Sequence, residues 1–169
     1  LPDVERIVCW DINYHDLELA TDDPRLVRTT EPPVPGFDLV LVLDVIEHVE
    51  HPRRFIDDQL APLTATGTHV LVAVPAHPML FGEHDRALGH HRRYRRADLL
   101  GQVAGWIDVV DHGPLFPTLV APRAASVAVE RVTKPRPSPH GVGGWQGGTA
   151  ATTALSGVLR ADTLAVRSL

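Results

Sequence analysis

The chain has 169 residues, 44% of them hydrophobic, and its 21 acidic and 16 basic residues give a net charge of −5. This length predicts one folded domain, and the charge gives no general attraction to nucleic acid or to anionic membranes. One cysteine, Cys9, excludes an internal disulfide framework. No apolar run reaches the length of a membrane helix, and the start lacks signal-peptide features, so we expect a cytoplasmic protein without a membrane span.

Short apolar runs alternate with helix-like segments in the first half of the chain. Strands are predicted at residues 6–11, 26–29, 39–43 and 69–74, and helices at residues 14–20 and 52–60. The continuous apolar run at 39–43 is typical of a strand that is covered on both faces, as in parallel sheets.

The second half begins with a predicted loop that extends from residue 77 to about residue 94, and loops of that length are usually functional or disordered. A helix at 97–103, a strand at 106–111 and a Val/Ala-rich helix from 115 to before 134 are predicted next. The segment 134–148 is rich in Pro and Gly and is expected to be irregular, and a last helix is predicted from residue 150.

This order of elements predicts an α/β fold, with a parallel sheet that carries helices on both faces. We expect a single domain over 1–169, with an α/β core at 1–112 and a mostly helical part at 113–169. Asp11 and Asp44 both end predicted strands, so the sequence predicts that they share one rim of the sheet, where α/β proteins bind ligands.

The segment FDLVLVLDVIEHVEHP, residues 37–52, carries the densest candidate chemistry. Asp44, Glu47 and His48 follow the strand at helical spacing, which suits either a general base with partners or a divalent metal site. In the structural interpretation, Asp44 caps a helix, Glu47 is solvated and His48 is a hydrogen-bonded pocket histidine. Spacing alone favours that structural interpretation. Asp11 has two similar interpretations, as a ligand of ribose hydroxyls or as a turn acid.

The segment 77–99 is the second dense cluster, with His77, His84, His90 and His91 followed by four arginines around Tyr94. Such a segment after a strand end is typical of a lid that orders over a ligand. The alternative is a solvated basic loop that could contact phosphate. Because the basic run is short and the chain is acidic, no nucleic-acid partner is expected.

Three segments together resemble the class I S-adenosylmethionine-dependent methyltransferases, in the small-molecule subgroup often called type 11 or type 12. RIVCWDINYHDLELA (6–20) resembles the second strand of that family, and FDLVLVLDVIEHVEHP resembles its fourth strand and the following turn. GTHVLVAVPAHPMLFGEHDRALGHHRRYRRADL (67–99) resembles its fifth strand and the most specific motif. That third match fixes several positions at once, namely Asp85, Gly89, His90, Arg93, Tyr94 and Leu99.

The resemblance implies a Rossmann-like sheet and methyl transfer from S-adenosyl-L-methionine to a small-molecule acceptor. It implies cofactor contacts for Asp11, Ile12, Leu43, Asp44 and Val45. It places two histidines opposite the acceptor as catalytic residues, His48 and His90. It also implies that four further side chains bind the acceptor, namely Glu47, His84, Arg93 and Tyr94.

The chain also departs from that family. The first strand, its Gly-rich loop and the last strand have no counterpart here, so we expect a chain trimmed at both ends that binds the cofactor weakly by itself. No metal is expected. The alternative is a divalent cation on Asp44, Glu47, His48 and His90, because some relatives hold a metal on an E..EH motif.

Two other classes compete with this interpretation. The missing glycine loop would also suit a non-catalytic, methyltransferase-like binding module. A phospho-receiver domain would use the strand that ends at Asp44, but a receiver needs a lysine after a later strand, and Lys134 is the only lysine. The sequence specifies neither the acceptor nor the oligomeric state.

Overall fold

The computed structural model describes residues 3–11, 23–133 and 148–166. Its strands are β1 Ile7–Trp10, β2 Leu26–Thr29, β3 Leu39–Leu43 and β4 His69–Ala73. Its helices are α1 Pro52–Phe55, continued by a π-helical segment at Ile56–Leu60, then α2 Glu83–Ala87, α3 Arg96–Val103, α4 Val120–Val132 and α5 Thr149–Val166. Short 3₁₀ turns lie at Ile46–His48, Ala61–Leu63, Pro78–Leu80 and Pro117–Leu119.

Most predicted elements are confirmed to within a few residues, and the exceptions are informative. The predicted strand at 106–111 is wrong, because the segment after α3 forms no regular structure and finds no partner strand among the described residues. The predicted helix at 14–20 and the segment 134–147 lie outside the described residues. None of the described helices combines the length and hydropathy needed to cross a membrane.

The strands pair in parallel, in two sheets of two strands each. β1 pairs with β2 from Ile7 opposite Leu26, and β3 pairs with β4 from Leu39 opposite His69. The mixed α/β class and the parallel pairing are therefore confirmed. β1 and β3 belong to different sheets within the described part of the chain, so the shared rim for Asp11 and Asp44 stays a prediction.

The β3–β4 sheet is covered on one face only. Val42 is 2% exposed, and it packs with Ile56 and Leu60 of the helix that follows β3. The opposite face carries Leu41 at 55% and Leu71 at 53% exposure. The expectation of a strand covered on both faces is therefore wrong for the described residues, because strand side chains alternate between the faces and only one face has a helix on it.

The core joins this sheet to the segment that returns after β4. Its buried members are Val42, Ile46, Ile56, Leu60, Leu63 and Tyr94. Trp10 at the end of β1 also packs against this core, and its ring stacks on Phe55 with the ring centroids 6.4 Å apart. Full burial of one such side chain stabilises the fold by about 1.5–3 kcal/mol, so packing of Ile46 into this cluster holds the turn after β3 in place.

Candidate functional site

The site begins where β3 ends. Asp44 has a φ of 50°, a left-handed conformation that Asp tolerates better than most residues, and its N–H donates to the carbonyl of Ala73 at 3.0 Å. The chain then turns through the 3₁₀ segment Ile46–His48, in which Ile46 is anchored in the core. This turn directs Glu47 to the interior and leaves His48 exposed at the carboxyl end of the strand.

The segment at 90–94 returns across the ends of both strands. The N–H of Tyr94 donates to the carbonyl of Pro75 at 2.9 Å, which extends β4, and the N–H of His91 donates to the carbonyl of Glu47 at 2.8 Å. The Tyr94 hydroxyl donates to the carbonyl of Ile46 at 3.1 Å. The segment 77–94 is therefore anchored to the sheet and contains a helix, α2, where the sequence predicted a loop.

This return brings three candidate ligands together. Glu47, His48 and His90 each offer a donor atom, and these atoms lie within 4.8 Å of one another. The rings of His48 and His90 meet edge to face, with their centroids 4.6 Å apart. Two residues of one turn and a histidine 42 positions after His48 thus form a compact acid–imidazole cluster.

Glu47 is the unusual member of the cluster. Its side chain is fully buried, and neither carboxylate oxygen accepts a hydrogen bond from any described donor. Burial, and to a smaller extent the negative charge of Asp44, raise the pKa of Glu47 to about 7. The Glu47 carboxyl group therefore binds a proton readily near neutral pH, and its anion has no hydrogen-bond donor among the described residues.

His90 is held by a second buried carboxylate. Nδ1 of His90 lies 3.1 Å from Oδ1 of Asp85, which is fully buried. An ionised carboxylate can only accept, so Nδ1 carries the proton and Nε2 keeps its lone pair. The pair has the arrangement that general-base histidines and metal-bound histidines share.

Asp85 is fully hydrogen-bonded. Its oxygens accept from the N–H of Gly82 at 2.8 Å, from Nε of Arg93 at 2.7 Å and from Nη2 of Arg123 at 2.6 Å, in addition to His90. Burial by itself would raise the pKa of Asp85, but the hydrogen bonds from Gly82 and Arg93 outweigh that effect and the pKa is lowered. Asp85 is therefore ionised at neutral pH, next to His90.

His48 differs from His90 in its surroundings. Partial loss of hydration, and then the nearby His90, lower the pKa of His48. The residue keeps an exposed side at the end of β3. A neutral imidazole at neutral pH can accept a proton or bind a metal, and this one is open to an incoming molecule.

The structure places the other predicted site residues apart from this cluster or in supporting positions. Asp11 follows β1, in the other sheet, and Ile12 lies outside the described residues. Leu43 is exposed on the uncovered face of β3, and Val45 packs against the core. His84 is exposed on α2. Tyr94 lies in the core, and burial raises the pKa of its phenol.

A metal ion fits the donor set but not yet the distances. One carboxylate and two imidazoles suit a divalent transition metal, and the buried carboxylate of Glu47 has no other partner among the described residues. Two ligands bound tetrahedrally at about 2.1 Å would lie about 3.4 Å apart. Any pair of these donor atoms that lies near the 4.8 Å limit must therefore move closer together to hold one ion.

Sequence reasoning missed two residues of this site. The sequence identifies Asp85 only as part of a motif. Its position five residues before His90 is the signal that could have indicated a carboxylate–histidine pair. Arg123 lies in a Val/Ala-rich helix that carries no motif, so nothing in the sequence links it to Asp85. Such a long-range ion pair is visible only in the folded chain.

Comparisons of the chain with protein-family models, with curated proteins and with solved structures find no match.

Proposed function

We propose that this protein is an S-adenosylmethionine-dependent methyltransferase that acts on a hydroxyl group of a small molecule. The observation that carries the proposal is the His90–Asp85 pair next to the carboxyl ends of β3 and β4. A histidine whose Nδ1 is held by a buried anion is oriented to take a proton through Nε2. Parallel α/β sheets bind their ligands at these strand ends, which supports an acceptor site beside His48 and His90.

When bound, S-adenosylmethionine supplies a methyl carbon that is activated by the adjacent sulfonium charge. In the transfer that this cofactor would support, Nε2 of His90 would take the proton of the acceptor hydroxyl as its oxygen bonds to the methyl carbon, and the electron pair of the carbon–sulfur bond would pass to sulfur. His48 provides an open, neutral imidazole that orients the acceptor by a hydrogen bond, and the closely packed segment 90–94 limits access of water to one side.

The described residues fit the cofactor in part. Asp11 is half-buried at the end of β1, a position from which its carboxylate could accept the two ribose hydroxyls. Leu43 and Asp44 are exposed at the end of β3, which suits contact with a bound nucleoside. These residues would hold one side of the cofactor.

Binding of S-adenosylhomocysteine tests the cofactor assignment. The protein expressed from its complete reading frame should bind this product in calorimetry, and Asp11→Ala should weaken binding by roughly 10- to 100-fold, the value of a hydrogen bond to a charged group. Asp3 is an exposed acid that precedes β1, so Asp3→Ala is the matched control and should bind normally. Equal binding by the Asp11→Ala and Asp3→Ala variants would contradict the assignment, as would no binding by the complete protein.

Transfer itself is tested with tritiated methyl donor and the small-molecule extract of the cells that make the protein. The wild-type protein should label a product, and His90→Ala should slow labelling by about 10²- to 10⁴-fold, the usual contribution of a general base. His69→Ala, an exposed histidine at the start of β4, is the control. Cofactor binding without a labelled product would favour the alternative of a non-catalytic binding module.

A metal-assisted version of the same reaction is favoured by one observation, the buried carboxylate of Glu47 without a described donor. Glu47, His48 and His90 would hold the ion, which would lower the pKa of a bound acceptor hydroxyl. Addition of Co²⁺ to chelator-treated protein decides this version without an activity assay. Visible absorption bands that disappear in Glu47→Gln support a bound metal, and no bands in the wild-type protein leave His90 as the sole base.

A further inference from the structure

We propose that Arg123, in α4, is a positioning residue for His90 and acts through the carboxylate of Asp85. The inference rests on the proposed function, because it assigns a role toward the same histidine. Arg123 has no hydrogen bond to His90. Its Nη2 lies 2.6 Å from Oδ2 of Asp85, and Nδ1 of His90 lies 3.1 Å from Oδ1 of the same group.

The two oxygens of Asp85 have distinct partners. Oδ1 accepts from Arg93 and His90, whereas Oδ2 accepts from the N–H of Gly82 and from Arg123. Four bonds that approach two oxygens fix the plane of the carboxylate. Arg123 supplies the only charged donor on Oδ2 among the described residues, and charge-assisted bonds are about twice as strong as neutral ones. The direction in which Oδ1 faces His90 therefore depends on Arg123.

Arg123 is itself held in place. Its side chain is 17% exposed, and Nη1 lies 3.5 Å from Oε1 of Glu130, which is about two turns further along the same face of α4. Glu130 also accepts from the N–H of Glu83 at 2.9 Å, at the start of α2. Asp85, Arg93, Arg123 and Glu130 carry two negative and two positive charges, so the charge of Asp85 is balanced before His90 gains a proton.

The first part of the segment that carries His90, from Met79 to Asp85, packs against α4. Arg131 donates to the carbonyl of Met79 at 2.8 Å, and Gly82 lies so close to Arg123 and Glu130 that an added Cβ would overlap the Glu130 carboxylate and come within 2.9 Å of Arg123 Nη2. This close approach explains why a residue without a side chain stands at position 82. α4 thus sets the position of His90 from outside the site.

Nitrogen-15 NMR of the histidine rings tests the inference, because it reads the tautomer of His90 and does not depend on methyl transfer. The wild-type protein should show the proton on Nδ1. Arg123→Met should change the ratio of the two tautomers by roughly tenfold, which corresponds to about 1.4 kcal/mol of lost orientation. Arg123→Lys, which keeps a charged donor for Oδ2, should restore most of the wild-type ratio.

Arg131→Met is the matched control, since Arg131 lies on the same helix and contacts the same segment but not Asp85. It should leave the His90 tautomer unchanged, which a merely structural role for Arg123 would also predict for Arg123→Met. A wild-type tautomer ratio in folded Arg123→Met overturns the inference. If that variant does not fold, Arg123→Gln is measured instead, and an unchanged ratio there overturns it equally. Failure of the wild-type protein to bind S-adenosylhomocysteine would refute the proposed function but would not affect the tautomer result.

Discussion

The surroundings of Asp85 and of Glu47 make an instructive pair. Both side chains are fully buried, on segments that meet at the end of the β3–β4 sheet. Asp85 accepts four hydrogen bonds, three of them from Arg93, Arg123 and Gly82, and its pKa is lowered. Glu47 accepts none from a described donor, and its pKa is raised to about 7.

The difference shows that burial alone does not decide the charge of a carboxyl group. Removal from water disfavours the anion in both places, and only correctly placed donors reverse that effect. The carboxylate of Asp85 is fully hydrogen-bonded, whereas that of Glu47 can still bind a proton or a cation. Carboxyl groups with such perturbed pKa values cluster at functional sites.

Removal of the Asp85 carboxylate should have the largest effect on stability. Asp85→Ala takes the buried carboxylate away from Arg93 and Arg123, whose side chains are 12% and 17% exposed, and loss of one member of such an ion pair typically costs about 3–5 kcal/mol of unfolding free energy. Equilibrium denaturation in urea measures this loss. Asp98→Ala, an exposed acid on α3, is the control and should cost under about 1 kcal/mol. Similar values for both variants would contradict the account.

Glu47→Gln should stabilise the protein relative to wild type, and the gain in unfolding free energy should increase with pH. With a folded pKa of about 7 against an ordinary value of 4.5, Glu47 keeps its proton in the folded state after the unfolded state has lost it. The folded state therefore loses stability as pH rises from 4.5 to 7. In chelator-treated protein, the stability of Glu47→Gln relative to wild type should rise by about 3 kcal/mol between pH 4 and pH 8. A constant difference across that range would exclude the raised pKa.

Gly82→Ala should disturb the contact between α2 and α4 by an intermediate amount. The added methyl group would force Glu130 and Arg123 away from Gly82, and overpacking of this kind costs about 1–3 kcal/mol. Gly101→Ala is a matched control within α3, where the added Cβ meets nothing within 4 Å, and it should stabilise the protein by up to about 1 kcal/mol. Thermal unfolding of the two variants in parallel measures the contrast, and equal midpoints would refute it.

Tyr94→Phe should have the smallest effect and should separate packing from electrostatics. The hydroxyl donates to the carbonyl of Ile46, not to the adjacent carboxyl group of Glu47. Its loss should cost about 1 kcal/mol in urea unfolding and leave the titration of Glu47 unchanged. A lower or higher pKa for Glu47 in this variant would indicate that the two side chains are coupled.

The strands could be predicted because runs such as 39–43 and 69–74 are short and rich in Val and Leu, which is typical of buried strands. Their pairing was not, because apolar periodicity identifies a strand without its neighbours. The predicted strand at 106–111 failed for this reason, since its residues have β propensity but no described strand accepts them. The exposure of Leu41 and Leu71 was likewise invisible, because it depends on which face of the sheet α1 covers.

The site was predictable in its members more than in its arrangement. The resemblance identified His48, His90 and Glu47, and the structure brings these three together. The sequence did not separate the roles of Glu47 and Asp85, because both are acids near histidines and only the donors around them differ. Those donors include Arg123, which lies 38 positions beyond Asp85 in the chain.

Carbon-13 NMR of the side-chain carboxyl groups tests the central claim most directly, namely that donors and not burial set the charge at this site. One pH titration of the chelator-treated wild-type protein observes both groups. The account predicts that Glu47 titrates near pH 7 and that Asp85 stays ionised below the usual range for an aspartate. Titration of Glu47 near its ordinary value of 4.5, or of Asp85 above its ordinary value of 3.8, would contradict the account.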